Sequence, residues 1–276
     1  MALTKPRVTI LVAATALAGV AVEPHVGTAG WLGVVATTLL VGAANALNCW
    51  VERDVDGRMP RTRGRPLPSG RLAPALGLAW GIALSCVALG LLFAVGSVLD
   101  LLLGAVALAL YVAVYTPLKR VTPLALYVGA IPGAMPPVLA RVALIGEVDG
   151  LAALLFGIVY LWQVPHFLAI AIARRDEYTC AGLRAVPVVH GDEIASVHAR
   201  VGVLLLTLVS VVPLARAQDG MIYGLGALVA AAIMLVAARP RHATASPQVW
   251  AKGLFVASLA YLPIVLGALV LDRRLP

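Results

Sequence analysis

The 276-residue chain is 61% hydrophobic and only 12% charged, which excludes an ordinary water-soluble domain of this length. Its net charge of +8 favours anionic surfaces or anionic ligands without naming either. Three cysteines, Cys49, Cys86 and Cys180, are widely spaced and odd in number; they fit no metal-ligand spacing or disulfide framework and read as small core residues.

Uncharged runs at 30–51, 74–99, 101–118, 121–140, 150–173, 220–238 and 253–271 are each long enough to cross a bilayer as helices. Two shorter runs, 8–22 and 201–215, reach that length if the flanking Arg7, Arg200 and Arg216 snorkel. The expected fold is therefore all-α: one polytopic membrane unit over 1–276, with nine transmembrane helices surrounding a central cavity. Lys5 and Arg7 resemble a signal-peptide n-region, but the second run follows so closely that an uncleaved first helix is expected. Most Lys and Arg fall before the first run and in every second connection. The positive-inside rule then puts those connections in the cytoplasm of a cell (inner) membrane, with the N-terminus inside and the C-terminus opposite.

The second run ends in an abrupt set of acids. If its helix continues, Asn48, Glu52 and Asp56 are four residues apart and share one face, until Gly57 and Pro60 stop it. Acids at a helix C-terminus meet a macrodipole that is already negative, so cations must compensate them. Arg53, Arg58, Arg61, Arg63 and Arg65 follow at once. Two readings remain open here: a solvated salt-bridge loop, or a divalent-cation site beside an anion site, as a bound diphosphate requires.

Further along, Tyr115-Thr116-Pro117-Leu118-Lys119-Arg120 is a stiff cationic turn, either a membrane-boundary anchor or part of the same anion site. Glycines and prolines between Gly129 and Pro137 should kink or unwind the fifth helix, against a cavity or simply against a neighbour. Trp162-Gln163-Val164-Pro165-His166-Phe167 places an imidazole inside an apolar helix, where ionisable groups usually face the interior. His25, His190, His198 and His242 carry no assigned role. The long connection near 174–199 adds Asp176, Glu177, Asp192 and Glu193. With Glu52, Asp54 and Asp56 it holds just over half of the 13 acids, so chemistry is expected where the second and sixth helices end.

Asn48-x-x-x-Glu52-x-Asp54-x-Asp56 followed by Met59-x-Arg61-Thr62-x-x-Arg65-Pro66 resembles the first acidic motif of the UbiA-type membrane prenyltransferases. The segments 115–120, 129–134 and 162–167 resemble the haem-farnesylating branch of that family, and Lys5-Pro6-Arg7 and the stretch from Asp176 to Pro187 fit as well. The likeness covers nearly the whole chain. Two departures stand out: the family usually has Asp where Glu52 stands, and Asp-Asp where this chain has Asp176-Glu177. In the wider superfamily a second acid often stands where this chain has Cys180.

The resemblance implies transfer of a farnesyl group from farnesyl diphosphate to a vinyl group of protohaem IX with addition of water. It implies Mg²⁺, held by Asn48, Glu52 and Asp56 and, at a second motif, by Asp176 and Glu177. Arg61, Arg65 and Lys119 would receive the leaving diphosphate, Tyr115, Tyr160 and Trp162 would offer ring faces to the allylic cation, and His166 would meet the haem. Implied partners are the two substrates, the lipid bilayer and haem A synthase or oxidase assembly proteins; no nucleic acid is expected. The residues leave two rivals: a family member acting on a quinone precursor, and a transporter of an anionic solute. Against the transporter, the acids gather at one membrane face rather than at mid-depth.

Overall fold

The computed structural model describes residues 2–215, 220–240 and 246–275. Arg216, Arg241 and His242 lie outside the described residues. Among those described there is no strand, and the chain forms a helical bundle. In chain order it comprises α1 (Pro6–Ala21), α2 (Gly27–Val51), the single turn α3 (Arg53–Asp56), α4 (Pro74–Val95) and α5 (Val98–Ala109). A π-helical stretch, Leu110–Tyr115, and the short α6 (Thr116–Leu118) prolong α5. Then come α7 (Ala125–Ile145), α8 (Gly150–Ala173), the short α9 (Arg175–Cys180), α10 (Val186–Ala215), α11 (Met221–Ala237) and α12 (Pro247–Arg274).

Seven of these segments are long and apolar enough to cross a membrane, and α1 and α11 are shorter apolar helices. The all-helical membrane class holds, but among the described residues the count of full-length spans is seven rather than the expected nine, and the short ones are redistributed. The run at 201–215 proves to be the second part of α10, which starts at Val186 and bends at Gly191, where φ is 84°. Asp192 and Glu193 therefore sit on a helix rather than in a loop, and the connection after α8 is correspondingly shorter. The run at 220–238 is the short one instead, with 17 residues in α11. A charge does not end the fifth apolar helix either: α7 continues through Arg141, which is buried and ion-paired.

Local chemistry sets most helix starts. Ser97, Asp149 and Ser246 each accept a hydrogen bond from the backbone N–H three residues on, at 3.4, 2.8 and 3.3 Å. Pro74 and Pro247 occupy first-turn positions, where their missing N–H costs nothing. Helix α7 stays helical through Pro132, Pro136 and Pro137, so of the two expected outcomes, a kink or an unwound stretch, it does not unwind. It packs on α1, α2, α5 and α8, which supply the support that its broken ladder requires. Of the cysteines only Cys49 is buried; Cys86 and Cys180 are exposed, against their reading as core residues.

One side of the bundle packs α8, α10, α11 and α12 around Leu155, Ile158, Leu206 and Tyr261, and the other packs α2, α4 and α7 around Leu40, Leu92 and Leu139. Between them lies a cavity of about 970 Å³, walled by α7 and α8 and reaching the ends of α2 and α8. Exposed Trp80, Phe93, Leu208 and Leu225 mark the outward apolar belt, which suits lipid.

Candidate active site

The acids of the second helix converge through a break rather than along one straight helix. Helix α2 ends at Val51, and Glu52 turns out of line with φ −91° and ψ 6°. The i to i−4 ladder nevertheless survives: Glu52 N–H donates to Asn48 O at 2.9 Å and Asp56 N–H to Glu52 O at 2.8 Å. Asn48, Glu52 and Asp56 therefore remain stacked, and all three line the cavity. The Thr62 hydroxyl donates to Asp56 O at 2.7 Å and folds the arginine loop back over the site.

Each member of the stack meets a cation. Lys119 Nζ lies 2.6 Å from Glu52 Oε1, and Arg65 lies 2.6 Å from Asp56 Oδ2. Lys5 Nζ donates to Asn48 Oδ1 at 2.7 Å, while the Asn48 amide donates to Glu52 Oε2 at 2.9 Å and to Thr116 Oγ1 at 3.0 Å. The π-helical stretch turns Tyr115 and Tyr111 toward this end of the cavity, a common use of π-turns. The Tyr115 ring centroid is 4.6 Å from Lys119 Nζ. A Cβ on Gly129 of α7 would overlap that ring, so glycine is what seats Tyr115.

Two lysines respond oppositely to this environment. Burial pushes the Lys5 ammonium below its ordinary pKa, with Lys119 and Arg65 acting the same way. Burial opposes Lys119 too, but Tyr115 and Glu52 outweigh it and hold Lys119 above its ordinary value. Lys5 is also the one described non-glycine residue with positive φ, 47°, a strained backbone placed at the site.

The second acidic motif is arranged differently. Asp176 is exposed and makes no ion pair among the described residues. Glu177 lies 3.0 Å from Arg174 and 3.9 Å from Arg61, and its Oε2 is buried without a hydrogen-bond partner. Neither acid lines the cavity, whereas Arg61, Arg65, Lys119, Tyr115, Trp162 and His166 do. Tyr160 is not at the cavity; it stacks on Phe156 at 5.9 Å.

Deeper in, one residue of α12 organises the aromatic wall. Trp162 Nε1–H donates to Ser258 O at 2.7 Å, and His166 Nδ1 lies 2.8 Å from Ser258 Oγ. The Ser258 hydroxyl spends its proton on Phe255 O at 2.6 Å, so it can only accept from His166. His166 is thereby held as the Nδ1–H tautomer with a free lone pair on Nε2. Trp162 stacks on its ring at 4.5 Å and Phe255 lies at 5.0 Å.

No group of three His, Cys, Asp or Glu suited to a metal occurs among the described residues. The donor set still fits Mg²⁺ shared with a phosphate ligand, which takes one or two carboxylates and leaves its other positions to phosphate and water. The orphaned Glu177 Oε2 is a further acceptor of that kind.

Sequence reasoning gave no individual role at this site to Lys5, Thr116, Gln163, Arg184, Lys252 or Ser258. Arg184 and Lys252 are exposed cations on the cavity lining, from the connection before α10 and the first turns of α12. The prolines and the proline–histidine pair were visible signals for the wall; nothing local pointed to Ser258.

The UbiA prenyltransferase family profile matches residues 8–259. The chain is 43% identical over 278 residues to a protein named protoheme IX farnesyltransferase from Anaeromyxobacter sp. (strain Fw109-5), covering 99% of this chain and 92% of that one. A structure of digeranylgeranylglyceryl phosphate synthase superposes with a TM-score of 0.81 at 15% identity, covering 99% of this chain and 96% of the other. A UbiA homologue from Archaeoglobus fulgidus bound to GPP and Mg²⁺ gives 0.65 at 15% identity, covering 97% and 98%.

Proposed function

As the chain belongs to the UbiA prenyltransferase family, we propose that it transfers the farnesyl group of farnesyl diphosphate to a vinyl group of protohaem IX, with addition of water, giving haem O and diphosphate. The similarity to proteins named protoheme IX farnesyltransferase supports the acceptor. The observation that carries the chemistry is the charge of the cavity lining: seven Lys and Arg against two carboxylates, Glu52 and Asp56, at the end of an otherwise apolar chamber. That combination suits a polyanionic head with a long apolar tail.

Bond breaking at the allylic carbon leaves negative charge on diphosphate, and preorganised cations stabilise it where it develops. Lys119, Arg65 and Arg61 are now paired with Glu52, Asp56 and Glu177. We assign them to the phosphate oxygens once substrate arrives. Asn48, Glu52 and Asp56 would then hold one Mg²⁺ and Glu177, with Asp176, a second; bound Mg²⁺ neutralises diphosphate charge. Acids and cations exchange partners with the incoming Mg²⁺–diphosphate, so no isolated buried charge is created. Tyr115 and Trp162 offer ring faces to the allylic cation.

His166, with Nδ1–H tied to Ser258, presents its Nε2 lone pair for haem iron, the orientation that a second-shell partner gives a ligating imidazole. Arg184 and Lys252 suit the two porphyrin carboxylates. We place the protein in the cell membrane with the acid-bearing end cytoplasmic, as the basic connections suggest, and regard an enzyme that consumes haem O, or an oxidase assembly protein, as its downstream partner. A cytoplasm-active reporter fused after Arg71 should work, and one inserted after Val148 should not.

The decisive measurement is mass analysis of the pigment formed by purified protein given protohaem, farnesyl diphosphate and Mg²⁺. A farnesylated haem that disappears with excess chelator is the expected result. Prenylation of hydroxybenzoate with haem untouched would move the chain to the quinone branch.

A further inference from the structure

We propose that Gln163 is the water-positioning residue of this reaction: its side-chain oxygen holds the water that quenches the cation left on the acceptor. The inference rests on the haem reading above and extends it to a residue that reading does not use.

Gln163 is buried on α8, and its amide orientation is determined by its neighbours. Nε2 donates to Ala130 O at 3.0 Å and to Val159 O at 3.1 Å; two carbonyls demand the nitrogen there, which sends Oε1 the other way. Oε1 accepts no hydrogen bond among the described residues. It is not one of the sealed unpartnered atoms either, and Gln163 lines the cavity together with Gly133 and Pro132. A Cβ at Gly133 would overlap Oε1, so the glycine leaves the space in which that oxygen sits.

Its depth is suitable. Gly129 and Gly133 are one turn apart on α7, a rise of about 6 Å. Gly129 seats Tyr115, and through it the Lys119–Glu52 pair; Gly133 seats Gln163. Along α8, Gln163 and His166 are three residues apart and both face the cavity. Oε1 thus lies one turn beyond the cationic end and one turn from the imidazole assigned to haem.

The chemistry needs an acceptor at such a point. The allylic C–O bond breaks and its electron pair leaves on diphosphate. The vinyl π pair forms the new C–C bond to farnesyl C1, which leaves a cation on the carbon attached to the porphyrin. A water lone pair closes on that carbon, and the water proton passes to the leaving diphosphate. If no oriented water is present, the same cation instead loses a proton from the adjacent carbon and an alkene results. A neutral acceptor such as Gln Oε1 can hold water by one of its protons, leaving a lone pair free, without itself capturing the cation.

The test compares products rather than rates. Wild-type protein, Gln163→Met, Gln163→Glu and Gly133→Ala are each given protohaem, farnesyl diphosphate and Mg²⁺. Mass spectrometry then gives the ratio of hydrated farnesyl haem to the alkene lighter by one water. This ratio does not depend on how much of a variant folds, and a purely structural role would not move it. Gln163→Met should lower the ratio about tenfold, the loss of one oriented hydrogen bond. Gly133→Ala, which displaces Oε1, should lower it too, and so should Gln163→Glu, which loses the two N–H donations that orient the oxygen and replaces a neutral acceptor by an anionic one. If Gln163→Met does not accumulate, Gly133→Ala decides. A wild-type ratio in both Gln163→Met and Gly133→Ala overturns the proposal alone. A wild-type protein that prenylates no haem overturns the acceptor reading and this proposal with it.

Discussion

Two partly buried ion clusters stand at opposite ends of α7, and they use the same chemistry for different ends. At one, Glu52, Asp56 and Asn48 are in direct contact with Lys119, Arg65 and Lys5, and all six line the cavity. At the other, Arg141 grips Asp149 through two bonds of 2.8 and 2.7 Å, reaches Glu23 at 2.9 Å, and donates to Gly19 O at 3.4 Å. The second cluster ties α1, α7 and the start of α8 together, and none of its residues lines the cavity. What separates a site from a clamp is therefore neither residue type nor burial. It is whether the pairs open on space large enough for something to take one partner away, and whether cations exceed acids there.

Breaking the cavity cluster should cost activity first. Asp56→Asn removes a carboxylate charge and leaves Arg65 uncompensated, and turnover of farnesyl diphosphate should fall by about three orders of magnitude or more. Near-normal turnover would demote the first acidic motif to an ordinary salt bridge. Breaking the clamp should cost stability instead. Arg141→Met leaves the half-buried Asp149 and Glu23 to water, and thermal or denaturant melting in detergent should show a loss of about 1–3 kcal/mol, with turnover per folded molecule retained. A turnover loss that outruns unfolding would mean that the two clusters are coupled through α7.

A smaller effect is expected at Ser258, which belongs to neither cluster. Ser258→Ala frees the His166 tautomer, so the KM for protohaem should rise several-fold while that for farnesyl diphosphate stays put. Equal rises in both would make Ser258 a packing residue. Glu52→Asp is the mildest change at the cavity end. It keeps the charge on a shorter arm, and turnover should stay within a few-fold of wild type.

The clamp also has a pH signature. Burial raises the Asp149 carboxyl, but the Arg141 guanidinium and the Ala152 N–H outweigh it, so its pKa lies below the ordinary 3.8. For a carboxylate depressed in the folded state, the stabilisation is complete above the unfolded pKa and is lost as pH falls through the folded one. Clamp stability should therefore be flat from neutral pH to about 5 and decline only below about 4. A decline starting near neutrality would point to a different group.

Much of the cavity end could be read from the sequence because charge is scarce in it. Glu52, Asp56, Lys119, Arg61 and Arg65 stand out against apolar runs, and the spacing of four predicts a stack that the break at Glu52 does not disturb. Asp176 stood out for the same reason, yet it is exposed, because a two-residue acidic motif on a short helix cannot turn both side chains inward. Lys5, Thr116, Gln163 and Ser258 were passed over because their roles lie in partners far along the chain. Lys5 meets Asn48, Thr116 meets Asn48, Gln163 meets Ala130 and Ser258 meets His166. The clamp escaped notice for the opposite reason: Arg141 looked like the end of a helix because a lone charge normally is one.

From the sequence alone, then, came whatever depends on the transfer of side chains between water and lipid: the class, most of the helical spans and the end of the bundle that carries charge. Those follow from solvation, which acts residue by residue. Tertiary structure decided which charges face a cavity, which are sealed, which way the Gln163 amide points and which nitrogen of His166 keeps its proton. These depend on hydrogen-bond partners brought together from distant helices, and no local pattern encodes a partner that lies 92 residues away, as Ser258 does from His166.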